Sequence, residues 1–249
     1  MMKIDILTLF PDMVKDSLNE SIIGRGIKKG LLDINCINIR DFAENSQNRV
    51  DDAPYGGGMG MVLQAAPLYR CWSDTCEKNG GHIHTILMSP QGKTFTQRDA
   101  IRFKDLGHIM LVCGHYEGID ERFIEECVDE EISIGDFVLT GGEIAAMAIS
   151  DAVCRLVPGV LSDSICFEEE SHYNGLLEYP HYTHPAEWHG KEVPSVLLSG
   201  HHANIAKWRH RKSLENTLLK RPDMLKKADL CKKDLEILDE LKKEHNICD

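Results

Sequence analysis

Between residues 3 and 156 short β-prone runs alternate with helical patterns, and no other feature narrows the fold so far. The strand-like runs are 3–10, 32–40, 84–88, 109–113 and 131–134. Between and after them apolar residues fall at helical spacing: a pattern opening at Pro11-Asp12 and stopping by Gly30, then 65–78, 97–104, 121–128 and 143–156. Strands separated by helices run parallel with both faces covered, so the expectation is an α/β domain on a parallel sheet. In such sheets ligands bind beyond the carboxyl ends of the strands.

Three consecutive strand ends carry glycine-bearing loops. They are Ser89-Pro90-Gln91-Gly92, then Gly114-His115-Tyr116-Glu117-Gly118, then Ser133-Ile134-Gly135-Asp136-Phe137-Val138-Leu139-Thr140-Gly141-Gly142. Glycine lets backbone N–H and C=O approach a flat ligand with no Cβ in the way. Phe137, Val138 and Leu139 would supply an apolar wall. One such loop is an ordinary strand–turn–helix joint; three at equivalent ends read as a pocket. A further stretch, 49–61, contains Gly56, Gly57, Gly58 and Gly60. It lacks the Gly-Lys-Ser/Thr ending of a P-loop and the flanking strand of a dinucleotide fingerprint. It reads as a surface loop that orders around substrate.

Periodicity fades from Pro158 to about Gly175, where Glu168, Glu169 and Glu170 form an acidic run, and 161–175 reads as an exposed linker. Residues 175–185 are too rich in proline and aromatics for regular structure, and from Ala203 the pattern is helical with a break at Pro222. The expected organisation is therefore a sheet domain over 1–160 and a smaller C-terminal α-helical domain over 176–249.

The net charge of −12 argues against a polyanion partner, but it is unevenly spread. Residues 201–249 hold 12 Lys and Arg against 9 Asp and Glu, or +3, which leaves −15 on residues 1–200. Lys207, Arg209, Arg211, Lys212, Lys220, Arg221, Lys226 and Lys227 crowd into one stretch. Such a run is a solvated helical face or a footprint for nucleic acid. Nine cysteines without CxxC spacing point to reduced thiols and a cytoplasmic location. Apolar runs as short as 144–149 exclude a transmembrane helix, and no signal-peptide pattern opens the chain. His181, His184, His201 and His202 lack companion ligands at zinc spacing, so no metal site is expected.

Six motifs occur in one order: Pro54-Tyr-Gly-Gly-Gly, Met88-Ser-Pro-Gln-Gly, Cys113-Gly-His-Tyr-Glu-Gly-Ile-Asp-Glu-Arg, Ser133 through Glu143, Gly175-Leu-Leu-Glu-Tyr-Pro and Val196-Leu-Leu-Ser-Gly-His-His. Together they closely resemble the bacterial tRNA (guanine-N1)-methyltransferases that act at guanosine 37, just 3′ of the anticodon. The resemblance covers nearly the whole chain. It implies a SPOUT-class α/β fold with a deep trefoil knot, S-adenosylmethionine (SAM) held bent in the knot, and a homodimer with active sites between subunits. It implies a cofactor site at Leu87, Ser89, Pro90, Gly114, Tyr116, Glu117, Gly118, Ser133, Ile134, Gly135, Asp136, Phe137, Val138, Leu139, Gly141 and Gly142. It implies tRNA contacts at Gly57, Gly58 and Ser171, joined by Lys207, Arg209 and Arg211 of the basic stripe.

Guanine N1 carries a proton at neutral pH, so methylation there needs a base at N1 and a donor or cation for the charge that builds on O6. The resemblance assigns these roles to Glu170 and Arg155, with Glu168 and Glu169 competing for the first. Reaching N1 requires the base to leave its stack, so the linker and C-terminal domain are expected to close over a flipped nucleotide. The chain departs from the family pattern at Phe137 for Tyr, Met59 for Pro, His184 for Arg and Glu170 for Asp. The His184 change weakens any bidentate grip on phosphate there. A Mg²⁺ requirement is not readable from the residues. Two other readings remain at this point: a knotted methyltransferase acting on a ribose 2′-hydroxyl, and an RNA-binding protein that senses SAM.

Overall fold

The computed structural model describes residues 1–163 and 165–247. The chain forms two compact units, Met1–Ser164 and Ile165–Asp249. In the first, Met2–Thr8 (β1) leads through Pro11–Leu18 (α1) and Ser21–Lys28 (α2) to Leu32–Asn38 (β2) and a 3₁₀ turn, Ile39–Phe42. Two short paired strands follow, Asp51–Asp52 (β3) and Val62–Leu63 (β4). Then come Ala65–Lys78 (α3), His84–Thr94 (β5), Gln97–Leu106 (α4), His108–Cys113 (β6), Glu121–Cys127 (α5), Glu130–Ser133 (β7) and Glu143–Cys154 (α6).

Five strands form one sheet in the order β2-β1-β6-β5-β7, with every neighbouring pair parallel. All of β1 except Lys3 is buried, as expected of a sheet covered on both faces. Leu7, Leu87, Met110 and Val112 pack with Leu68 and Cys71 of α3 and with Phe123 and Cys127 of α5. Helices α4 and α6 pack against β6 and each other, and α1 packs against α6. Small residues, Ala145 and Ala146, let α6 approach the sheet closely. Because β6, β5 and β7 are neighbours, the three glycine-bearing loops leave the sheet side by side.

Most element ends shift by one or two residues, and two differences from the sequence expectation are larger. The helical pattern from Pro11 is two helices, broken at Asn19 and Glu20. A Cβ on Gly24 would lie 1.8 Å from the Asn19 carbonyl oxygen, so α2 packs directly on the end of α1. The second correction concerns β5, which does not end at Met88. Met88 and Lys93 both pair with Ile132, so residues 89–92 bulge out and the strand resumes. Gly92 makes this possible, since a Cβ there would sit 2.4 Å from the Glu131 carbonyl carbon.

The amino end of α4 shows how the sheet domain holds its helices. Asp99 accepts from Thr96 N–H at 3.0 Å, from Thr96 Oγ1 at 2.6 Å and from Lys93 Nζ at 2.9 Å. Burial alone would raise the Asp99 pKa, but these bonds prevail and hold it below its ordinary value of 3.8. A depressed carboxylate stabilises the fold fully above its unfolded pKa and loses that contribution as pH falls through the folded one. Asp99→Ala is therefore expected to cost about 1–2 kcal/mol at pH 7. It should also flatten the loss of stability between pH 5 and pH 3 in urea titrations. An equally steep acid loss in the variant would contradict this role.

The second unit begins with the short helix Ile165–Glu168 (α7) and includes residues 165–175, read from sequence as linker. It continues through the hairpin Glu187–Trp188 (β8) and Lys191–Glu192 (β9) to Ser195–Leu198 (α8), His202–Lys220 (α9), Pro222–Leu225 (α10) and Lys232–Glu244 (α11). Leu176, Leu214, Leu218, Leu238 and Leu241 form its core.

Candidate active site

The ends of β6, β5 and β7 enclose a cleft of about 290 Å³, near the lower bound for small-molecule sites. Every residue of the expected cofactor site lines it except Asp136, which is exposed and outside the lining. The cleft also takes in His115, Gln91, Glu131 and Thr140.

Backbone proximity builds the floor. Gly142 N–H donates to the Gly114 carbonyl at 2.9 Å, and His115 bridges Gly141 in antiparallel fashion. A Cβ on Gly142 would stand 2.8 Å from Cys113 Cα and 2.9 Å from Met88 Cβ, so only glycine lets this loop reach the other two strand ends. Gly135 adopts φ 151°, a conformation side chains rarely take, and the Ser133 hydroxyl both accepts from its N–H at 3.1 Å and donates to its carbonyl at 2.9 Å. Phe137 and Val138 form a wall more than half exposed, an apolar surface available to a ligand or another chain.

Beneath the cleft lies a polar group that the sequence reading missed. Glu143, 3% exposed at the start of α6, accepts a hydrogen bond from Thr8 Oγ1 at 2.8 Å. Its other oxygen stands 4.0 Å from His115 Nδ1, a buried atom with no hydrogen-bond partner among the described residues. The Phe10 and Tyr116 rings flank His115 at 5.2 and 5.0 Å. A Cβ on Gly141 would lie 2.4 Å from both the Glu143 oxygen and His115 Nδ1. The carboxylate thus ties the end of β1 to the start of α6 and lies beside the loop that leaves β6. The sequence signal was an acidic residue in a first helical turn, which ordinarily means solvent and the helix dipole.

The glycine-rich loop is stapled to the same site. Leu63 N–H donates to the Gly118 carbonyl, Glu117 N–H to Met61 and Asp120 N–H to Leu63, each at 3.0 Å. Gly57 and Gly58 lie at its exposed tip with positive φ. Arg155 is the residue at the carboxyl cap of α6 and is half-buried.

The remaining expected residues lie in the second unit. Glu168 and Glu169 are exposed and Glu170 is half-buried. Ser171 Oγ accepts from Glu178 N–H at 3.0 Å, fixing the turn after the acidic run. On α9, Lys207 and Arg209 are exposed, whereas Arg211 is half-buried and paired with Glu244 at 2.7 Å. Among the described residues, no group of three or more His, Cys, Asp or Glu is placed to hold a metal ion, and no helix is long and apolar enough to cross a membrane.

Fold and cleft together are those of an α/β protein with a cleft at the carboxyl edge of a parallel sheet, where such folds bind their ligands. The family model described as tRNA (Guanine-1)-methyltransferase TrmD matches residues 2–227, and the chain belongs to that family. It is 54% identical over 241 residues to a tRNA (guanine-N(1)-)-methyltransferase of Desulforamulus reducens, covering 96% of this chain and 95% of the relative. A protein of the same name from Pelotomaculum thermopropionicum is 55% identical over 241 residues, 96% of each chain. Another, from Clostridium novyi, is 54% identical over 243 residues, 98% of this chain and 99% of the relative.

Proposed function

We propose that this protein methylates N1 of guanosine 37 in tRNA, with SAM as the methyl donor. The observation that carries the reading is the convergence of three glycine-bearing strand ends on one cleft, in a chain of this family. The donor supplies an electrophilic methyl group on a sulfonium. Gly141 and Gly142 let the last loop close onto His115, Glu143 and Cys113 to form the floor beneath it, and Phe137, Val138 and Leu139 offer apolar surface for its adenine. Glu170 takes the proton from guanine N1, and Arg155 stabilises the charge on O6. The trefoil knot of the family's fold belongs to the same reading, as does a cytoplasmic location.

A second copy of the chain is part of this proposal. Helices α1 and α6 pack together and leave Phe10, Met13 and Ile144 exposed, each by more than 40%. These exposed apolar side chains on two packed elements are where the second copy is proposed to sit. The experiment that tests the function is methyl uptake by a transcript carrying G37 against one carrying A37. Uptake by the first alone is expected; equal uptake would favour the ribose 2′-hydroxyl as target.

Lys207 and Arg209 are proposed to bind the tRNA backbone. Removing both charges is expected to raise the Km for tRNA and to reduce its log–log salt slope by roughly one for each phosphate no longer neutralised. SAM affinity should not change. Arg211 alone should matter less, because Glu244 already holds it. An unchanged salt slope would return the stripe to a solvated helical face.

A further inference from the structure

Residues 177 and 178 are bound to α9: Leu177 N–H donates to Thr217 Oγ1 at 2.9 Å, and Asn216 Nδ2 donates to the Glu178 carbonyl at 2.8 Å. The next residue, Tyr179, meets three neighbours. The guanidinium carbon of Arg209 stands 4.7 Å over its ring centroid. The His181 ring lies 4.9 Å away at 51°. Its hydroxyl donates to Glu169 Oε2 at 3.4 Å. One side chain therefore joins the acidic run to the basic face of α9.

We propose that Tyr179 is a positioning residue, whose ring holds Arg209 ready for an RNA phosphate and whose hydroxyl steadies the segment that carries Glu170. This rests on the function proposed above, in which Arg209 touches tRNA and Glu170 is the base. A guanidinium over an aromatic face is held by the ring quadrupole, which uses none of its N–H donors. The fork stays available for phosphate while its rotamers are restricted before binding, so less freedom is lost on association.

The other half of the link acts on Glu170 through its neighbours. Glu169 is tied by its side chain to Tyr179, and Ser171 is tied to the backbone N–H of Glu178 at 3.0 Å. Glu170 is thus flanked on both sides by residues fixed to the same short segment. Burial raises the Tyr179 hydroxyl above its ordinary pKa of 10.0, with Arg209 opposing and Glu169 adding to the shift. The hydroxyl remains a donor at neutral pH.

The test combines Tyr179→Phe, Tyr179→Leu, Arg209→Ala and the Tyr179→Leu/Arg209→Ala pair. Affinity for tRNA is read by fluorescence anisotropy, and methyl transfer by single-turnover rates at saturating SAM and tRNA. Tyr179→Phe keeps the ring, so tRNA affinity should stay within about twofold while the rate falls roughly 3- to 10-fold without the hydroxyl's hydrogen bond. Tyr179→Leu should also weaken tRNA binding roughly 2- to 5-fold, and should weaken it no further once Arg209 is Ala. Unchanged SAM affinity and thermal midpoints establish that the variants are folded. A wild-type rate in Tyr179→Phe, or additive losses in the double variant, would overturn the proposal. If wild-type protein methylates no tRNA, the proposed function fails, and the anisotropy cycle still decides whether Tyr179 positions Arg209.

Discussion

Glu170→Gln should slow methyl transfer about 10²-fold or more at saturating SAM and tRNA, because the amide keeps shape and hydrogen bonding but takes no proton. Affinity for both ligands should persist. The assignment is positional: Glu170 immediately precedes Ser171 and lies five residues before Gly175, where the family carries its catalytic Asp. Local geometry adds a second argument. Glu170 N–H donates to the Phe167 carbonyl at 3.3 Å, and the following turn is closed by His172 N–H to Leu176 at 2.8 Å. Glu170 thus stands on a hydrogen-bonded turn, while Glu169 is engaged with Tyr179 and Glu168 is exposed. The extra methylene relative to Asp moves the carboxylate by about 1 Å, a displacement large enough to affect rate unless the turn compensates. Single-turnover rates of the Gln variants at 168, 169 and 170 decide among the three. A dead Glu169→Gln beside a nearly normal Glu170→Gln would transfer the role to Glu169.

Gly142→Val is expected to abolish measurable SAM binding by calorimetry while the protein remains folded with a lowered Tm. The added Cβ would meet Cys113 Cα at 2.8 Å and Gly114 N at 3.2 Å, atoms of a central strand and its exit that have nowhere to go. The loop must retreat instead, breaking its 2.9 Å hydrogen bond to the Gly114 carbonyl and opening the cleft floor. Overpacking of this kind costs roughly 1–3 kcal/mol. Gly141→Val should do the same by a different route, displacing the Glu143 carboxylate and His115. Undiminished SAM affinity in both variants would remove the ligand from this cleft.

Much of the sheet domain was legible because its signals are local. The helix at 65–78 has the bounds that its apolar spacing gives, and the parallel sheet follows from strands separated by helices. What escaped depends on contacts between distant segments. The bulge at 89–92 exists because Gly92 abuts the backbone of β7, and nothing within β5 announces that neighbour. The break between α1 and α2 likewise turns on Gly24 touching the Asn19 carbonyl. The buried tie from Thr8 to Glu143 joins residues 135 positions apart, beyond any periodicity. The loops picked out by glycine spacing line one cleft, and nothing in the spacing distinguishes Asp136, which lies outside the lining, from its neighbours. The pairing of Arg211 with Glu244 was hidden for the same reason, since a count of basic residues does not reveal their partners.

Nucleoside-resolved mass spectrometry of tRNA incubated with the protein and SAM tests the central claim most directly. The account predicts one added methyl group, recovered as N1-methylguanosine in the fragment containing position 37. A methyl group on a ribose 2′-oxygen, on another base, or no added mass at all would contradict it.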